Sequence, residues 1–330
     1  MTREPQPKKT AEEGKDLVSQ VWKIPINPQR PPDFLYDPND PGAYEPNKAE
    51  RARAFCFKHN WCGIGWGLPN FDRCLTDPND YLSEIDQTRE ELLRYRPSAA
   101  KSACNAFAYK MQEDDFVWCR TRGDVYWLGR IVGKWMYKPN DEFHDLNLYQ
   151  VRECHWKNIG TADLVPGPIK NAYAGRGQAI ARIVREGVAA LHATEKIWDP
   201  SVSHHAEEYA QQFSLGAIAH DDLEDIVALY LQKELGWFVV PSTVKKSTPS
   251  TEFVLRNANG GRAYLQVKVD DVNDQVGELP EGVQKFFIFD TRSDEDTGSD
   301  SVVRIPSKKI KEFIEENLSL MPSFVRSLAR

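Results

Sequence analysis

No run of eighteen apolar residues occurs in this chain, so the sequence offers no membrane-spanning helix. No apolar segment follows the charges of MTREPQPKKTAEEGKD, which therefore lacks the form of a secretory signal, and a cytoplasmic protein is the expectation. Cys-x-x-Cys pairs and His-x-x-x-His spacings are also missing. The six cysteines, Cys56, Cys62, Cys74, Cys104, Cys119 and Cys154, all fall in the first half. Without ligand pairs they argue against a zinc site and are expected to act as small buried hydrophobes in a reducing compartment. Positive charge is not in excess. A net charge of −7 and a pI near 5.6 disfavour a protein that coats nucleic acid indiscriminately. They leave room for a local basic channel beside metal-binding carboxylates. No internal repeat is present.

What is there is an ordinary globular composition, 41% hydrophobic and 28% charged over 330 residues, enough for two domains with their own cores. Residues 1–16 read as a disordered lead-in. VWKIPI (Val21 to Ile26) is the first strand-like run, and the proline-rich stretch after it cannot be regular helix. KAERARAFCFKHN reads as a short helix entering WCGIGWG. The segment from Asp77 to Met111 is helical, broken by Pro97. DFVWCRTR, DVYWLGRIVGKWMYK and LYQVRECHW then read as strands of a small, curved antiparallel sheet or barrel, with Gly123, Gly129 and Gly133 at expected bends or bulges. Gln178 to Glu195 is expected to be a helix. The first domain is taken as 17–190, a linker as 191–220, and a second domain as 221–330.

In the second domain DDLEDIVALYLQKEL has an apolar face at Leu223, Ile226, Val227, Tyr230 and Leu231, which predicts a helix. GWFVVPST, EFVLRN, AYLQVKV and KFFIFDTR read as strands, and KKIKEFIEENLSLM as a last helix. That order is α/β, so the chain as a whole is α+β followed by α/β. Alternation puts Gln266 and Lys268 on one face of their strand. Glu252 begins the preceding strand, across a hairpin at Asn259-Gly260-Gly261, and an antiparallel pairing brings it near Gln266. Glu224, on the helix before the sheet, approaches from the side. Carboxylates and a lysine at the ends of adjacent strands suit a hard divalent cation that polarises a phosphodiester.

This arrangement resembles the PD-(D/E)XK nuclease superfamily in its Mrr-like restriction endonuclease branch, with GWFVVPST and YLQVK its most recognisable pieces. The resemblance runs from Asp221 to Lys268. It implies Glu252, Gln266, Lys268 and Glu224 as catalytic residues, Glu252 and Glu224 as metal ligands, and Mg²⁺ or Mn²⁺ as cofactor. Glu252 stands where aspartate is more usual, which moves the carboxylate by about one C–C bond. A glutamate and a lysine on a solvated strand are the bland alternative. The position of Gln-x-Lys on the third strand, after an acidic second strand and a glutamate-bearing helix, weighs against it.

The first domain concentrates aromatics on turns and short strands: Trp61, Trp66, Trp118, Tyr126, Trp127, Trp135 and Trp156. Stacked aromatics can hold a flipped base by its π face, although small barrels also use them for core volume. FCFKHNWCGIGWG, EDDFVWCRTRGDVYWLGRIVGKWMY and LYQVRECHW look like the EVE/YTH-type branch of the PUA superfamily, loosely from Val21 to Ile183. The resemblance implies a curved β-barrel domain with flanking helices and an aromatic cage for a modified base, with Trp66, Trp127 and Trp61 as its walls. Arg120, Arg122, Arg130 and Lys134 flank the same strands and are expected at the DNA backbone. The combined expectation is a modification-dependent endonuclease acting on double-stranded DNA as a homodimer, in antiviral defence. A modified-DNA binder with a silent nuclease fold, and an activator-gated nuclease effector, are the alternatives.

Overall fold

The computed structural model describes residues 19–26, 47–93, 96–174, 180–184, 187–201, 215–241, 253–268, 279–292 and 299–328. The expected lead-in at 1–16 lies outside them, and so does Glu252. The protein is mixed α+β, with a curled half-barrel sheet, helices and a second, five-stranded sheet. Among the described residues no helix is long and apolar enough to cross a membrane.

The first sheet runs in the order β2 (Trp61–Ile64), β6 (Gln150–Gly160), β4 (Tyr126–Ile131), β3 (Phe116–Arg120), β1 (Val21–Lys23) and β7 (Ala181–Arg182), with β5 (Met136–Tyr137) also on β6. β6 is long enough to pair with β4 at one end and β2 at the other, and this bends the sheet into a half-barrel. β3 and β4 pair antiparallel with Val117 opposite Gly129 and Trp118 opposite Leu128. Alternation then sorts side chains onto two faces, and both are buried. Val117, Cys119, Ile131 and Cys154 join one core with the helices Lys48–His59, Pro78–Gln87 and Pro97–Cys104. Phe116, Trp118, Tyr126 and Leu128 join another with Ile169 and Ala190, from the helices Gly167–Ala174 and Gly187–Trp198. Five of the six cysteines are buried and all six are free thiols, with Cys74 the exposed one.

Two expectations need correction. Residues 178–195 are not one helix, because Ala181–Arg182 pairs with β1 as an edge strand and the helix begins at Gly187. Ile180 and Ile183 are both buried, and their spacing imitates a helical face. The helix from Gly187 runs to Trp198. Gly129 is not a bulge. The register shift falls between Tyr126 and Trp127 instead. Gly129 is regularly paired, and an added Cβ would lie 2.5 Å from Cys154 Sγ and 2.8 Å from Val117 Cγ2.

Asp115 ties β1 to β3. Its buried carboxylate accepts from the Gln20 backbone N–H at 2.7 Å, the Trp22 Nε1 at 2.8 Å and the Gln112 N–H at 2.9 Å. Burial nevertheless raises its pKa from the usual 3.8, against the pull of those donors and of Arg152. The folded state therefore binds this proton more tightly than the unfolded chain. The stability the group contributes is full below the ordinary carboxylate pKa and declines as pH rises through the raised one. Asp115→Asn turns at least one donor away from its acceptor, a loss of about 1–3 kcal/mol. The difference in melting temperature between mutant and wild type is expected to shrink as pH rises from about 4. Paired melting curves across pH test this, and a difference that grows with pH contradicts it.

The second sheet runs β12 (Val302–Ile305), β11 (Lys285–Asp290), β10 (Arg262–Lys268), β9 (Phe253–Asn257), β8 (Trp237–Val239). β8, β9 and β10 form an antiparallel meander, and β11 and β12 continue parallel to β10. The expected hairpin is present: Asn257 Oδ1 accepts from the N–H groups of Asn259 and Gly261, and Gly260 sits at φ +80°. Ala263, Leu265 and Val267 of β10 and Phe287 and Phe289 of β11 meet the helices His220–Leu235 and Ser307–Glu316 in one core. Each large apolar side chain buried there contributes about 1.5–3 kcal/mol.

The two units touch where the His220–Leu235 helix begins. Ala219 at its N-cap has no side chain to cap it. The first unit supplies the cap, because Asn171 Oδ1 accepts from His220 N–H at 3.1 Å. Lys170 pairs with Asp222 in the same turn. Gly167 lies so close that an added Cβ would be 2.2 Å from the Ala217 carbonyl oxygen. Gly167, Lys170 and Asn171 are i, i+3 and i+4 on one helix, and that face is what docks.

Candidate functional site

Gln266 and Lys268 share the face of β10 that points away from the helix-side core, as alternation with the buried Leu265 and Val267 requires. In the parallel register Gln266 lies beside Ile288 and Lys268 beside Asp290. The Thr291 N–H reaches the Lys268 carbonyl at 3.3 Å, so the two strands are still joined at this end. Lys268 and Gln266 are half-buried, whereas Asp290 is 2% exposed.

The topology also brings Glu224 to this end. The His220–Leu235 helix turns into β8 through Gly236 alone, at φ +67°, and runs back along the meander. Its C-terminus lies at the Arg262 end of β10, because Trp237 pairs with Asn257 and Arg256 with Arg262. Its first turn therefore points toward the Lys268 end. Glu224 is one-fifth exposed and 2.5 Å from His220 Nδ1. Donor atoms of His220, Asp221 and Glu224 lie within 4.8 Å of one another. Phe253 pairs with Leu265, which fixes where β9 enters. Sequence reasoning missed Asp290; its signal was the polar residue ending the apolar run KFFIF.

The three expected cage tryptophans do not form one cage. Trp66 is a core residue, 8% exposed and left-handed at φ 68°, and its carbonyl accepts the Tyr81 hydroxyl at 2.8 Å. Its buried indole N–H has no partner. Trp127 lies flat on Phe57, with ring centroids 4.1 Å apart, so one of its faces is already covered. The Lys138 ammonium lies 4.3 Å above the Trp61 ring, which Phe143 meets edge-on. Among the described residues no ring contact joins Trp66 to Trp61 or Trp127. Instead Phe57, Trp127 and Trp156 make a half-buried aromatic patch, and Trp156 Nε1 donates to the backbone carbonyl of Trp61 at 2.8 Å. Phe57 is the member the sequence reading did not single out.

The four cations are not one stripe. Arg120 and Arg122 sit at the turn of the β3–β4 hairpin, while Arg130 and Lys134 sit at its other end. Arg120 is paired with Asp124 and Arg130 with Asp114. By strand alternation Arg120 and Arg130 share a face with Tyr126 and Phe116, opposite the face that carries Trp127 and Trp156.

Described residues line cavities of about 360 Å³ in each unit. One, between the second sheet and its helices, is lined by Trp237, Lys285, Arg304 and Lys309 at the end of the sheet away from Lys268. The other, in the first unit, is lined by residues that include Ala108, Gln112, Glu113, Lys134, Trp135 and Arg152. Ala108 belongs to a π-helical turn, Asn105–Lys110. Arg152 is 4% exposed and donates to the Met111 carbonyl at 2.6 Å, and its Nε has no partner. Burial lowers its pKa.

Residues 43–174 match a family described as Domain of unknown function (DUF8426). That span holds β2 to β6 and the docking helix Gly167–Ala174, and it stops before the second sheet. No curated protein and no solved structure matches the chain.

Proposed function

We propose that the second unit is a metal-dependent DNA endonuclease of PD-(D/E)XK type, and that the first, PUA/EVE-like unit makes cutting depend on a modified base. The observation that carries the first half is the placement of Lys268, Gln266 and Asp290 on one face at one end of an antiparallel meander that continues parallel, with the first turn of the His220–Leu235 helix directed toward that end from the opposite face. A hard divalent cation fits this donor set, since Asp290 retains a buried carboxylate oxygen with no partner. When bound, such an ion polarises a phosphodiester and lowers the pKa of its water. Glu224 and Glu252 would hold it together with the Gln266 side chain. Lys268 supplies a positive charge to the phosphate and orients the attacking water. The half-buried patch of Phe57, Trp127 and Trp156 supports stacking of an unpaired base, which meets part of the few kcal/mol that flipping costs. Two cuts in a duplex call for two active sites, so the working form is a homodimer.

The experiment is conversion of supercoiled plasmid, with and without modified bases, by the full chain in Mg²⁺ and in chelator. Mg²⁺-dependent linear product from modified plasmid supports the reading, and intact plasmid in every arm removes it.

A second reading has an observation of its own. The cavity around Arg152 offers an unpartnered, buried guanidinium N–H to a small acceptor-rich ligand, as an activator-gated nuclease would need. Such an enzyme cuts modified and unmodified plasmid equally once activated.

A further inference from the structure

We infer that Asp290 is a ligand of the divalent cation, a carboxylate outside the Glu252–Gln266–Lys268 motif. This rests on the nuclease reading of the same site. The Asp290 carboxyl is 2% exposed, and only one of its oxygens is used: Oδ1 accepts from the Arg292 N–H at 2.8 Å. Oδ2 is equally buried and has no hydrogen-bond partner. Buried acceptors are almost always satisfied, and a carboxylate oxygen left bare lowers stability without return unless something binds it. Its setting identifies the binder. Asp290 is the register partner of Lys268, its side chain shares the face of Gln266, and it ends β11 at the end of the sheet toward which the Glu224 turn points from the other face. The turn through Arg292 fixes the carboxyl plane, so Oδ2 is already oriented before a cation arrives. A fixed, buried carboxylate oxygen takes Mg²⁺ or Mn²⁺ in preference to a soft metal.

The test compares wild type, Asp290→Asn and Lys268→Ala as full chains. Mn²⁺ affinity is read by electron paramagnetic resonance, and melting temperature with and without the ion. The isosteric Asp290→Asn is expected to melt close to wild type without metal, because its side-chain oxygen can still accept from the Arg292 N–H. It is expected to lose the metal-induced rise in melting temperature and to bind Mn²⁺ about 100-fold more weakly. Lys268→Ala is expected to keep both metal responses while losing cleavage. Wild-type Mn²⁺ affinity in Asp290→Asn, with Lys268→Ala inactive, overturns the assignment and leaves the nuclease standing. No Mn²⁺ binding and no cleavage by wild type removes the nuclease reading itself. A check that needs no variant is to load wild type with Fe²⁺ and ascorbate and map the backbone cuts. Cuts next to residue 290 are expected, and their absence there contradicts the proposal.

Discussion

Lys268→Ala is expected to lower Mg²⁺-dependent cleavage about 10²–10³-fold, the loss that follows removal of one preorganised charge at a reacting centre. The reason lies in the strand. Lys268 ends β10 on the face away from the core, beside Asp290, and its side chain is half-buried and plays no part in the apolar packing of Leu265 and Val267. Deleting it leaves the sheet register and the core untouched, so melting temperature should stay close to wild type. Because its charge acts on the phosphate as negative charge develops, the loss should fall on kcat more than on DNA affinity. Single-turnover cleavage beside a binding isotherm separates the two. Unchanged cleavage removes Lys268 from the chemistry, and equal losses in rate and affinity make it a binding residue only.

Gly167→Val should be among the most destabilising single changes in the protein. The atoms crowding Gly167 are backbone: the Ala217 oxygen at 2.2 Å, the Ala219 nitrogen at 2.5 Å and the Ile218 carbonyl carbon at 2.7 Å from an added Cβ. A side chain can rotate away, but backbone must be displaced, and the displaced segment leads into the His220–Leu235 helix. Overpacking of this kind costs about 1–3 kcal/mol before the loss of the Asn171 cap and the Lys170–Asp222 pair is counted. The expected result is a melting temperature lowered by several degrees, about 2–4 °C per kcal/mol for units of this size, with the two units unfolding separately. Cleavage should fall with it, because the displaced turn carries Glu224. A single unshifted transition in calorimetry would mean that the two units do not rely on this contact.

Much of the architecture was legible because period and composition agreed. The strands β3, β4 and β6 alternate around glycines and aromatics, and the His220–Leu235 helix has its apolar face at the spacing that identifies it. The failures were local. Ala181–Arg182 is an edge strand of two residues whose flanking isoleucines mimic a helical face, and β12 is four residues long after a polar stretch. Of the candidate site, strand alternation was enough to pair Gln266 with Lys268. Asp290 was not legible, because its position depends on a parallel register between strands separated by residues that carry no periodic signal. The aromatic residues were harder still. Trp66 sits between glycines and Trp127 on a strand, yet Trp66 is sealed in the core and Trp127 is half-exposed on Phe57, a difference set by long-range packing. The arginines were assigned by nearness in sequence, and the two-residue period of β4 puts Arg130 on the opposite face from Trp127.

The most direct measurement is cleavage of matched linear duplexes by the full chain in Mg²⁺. They would be unmodified or carry methylated, hydroxymethylated or glucosylated cytosine or methyladenine, with Lys268→Ala run in parallel. Cutting confined to a modified duplex and lost in Lys268→Ala is the predicted result. Failure to cut any duplex, or cutting that persists in Lys268→Ala, would contradict the account.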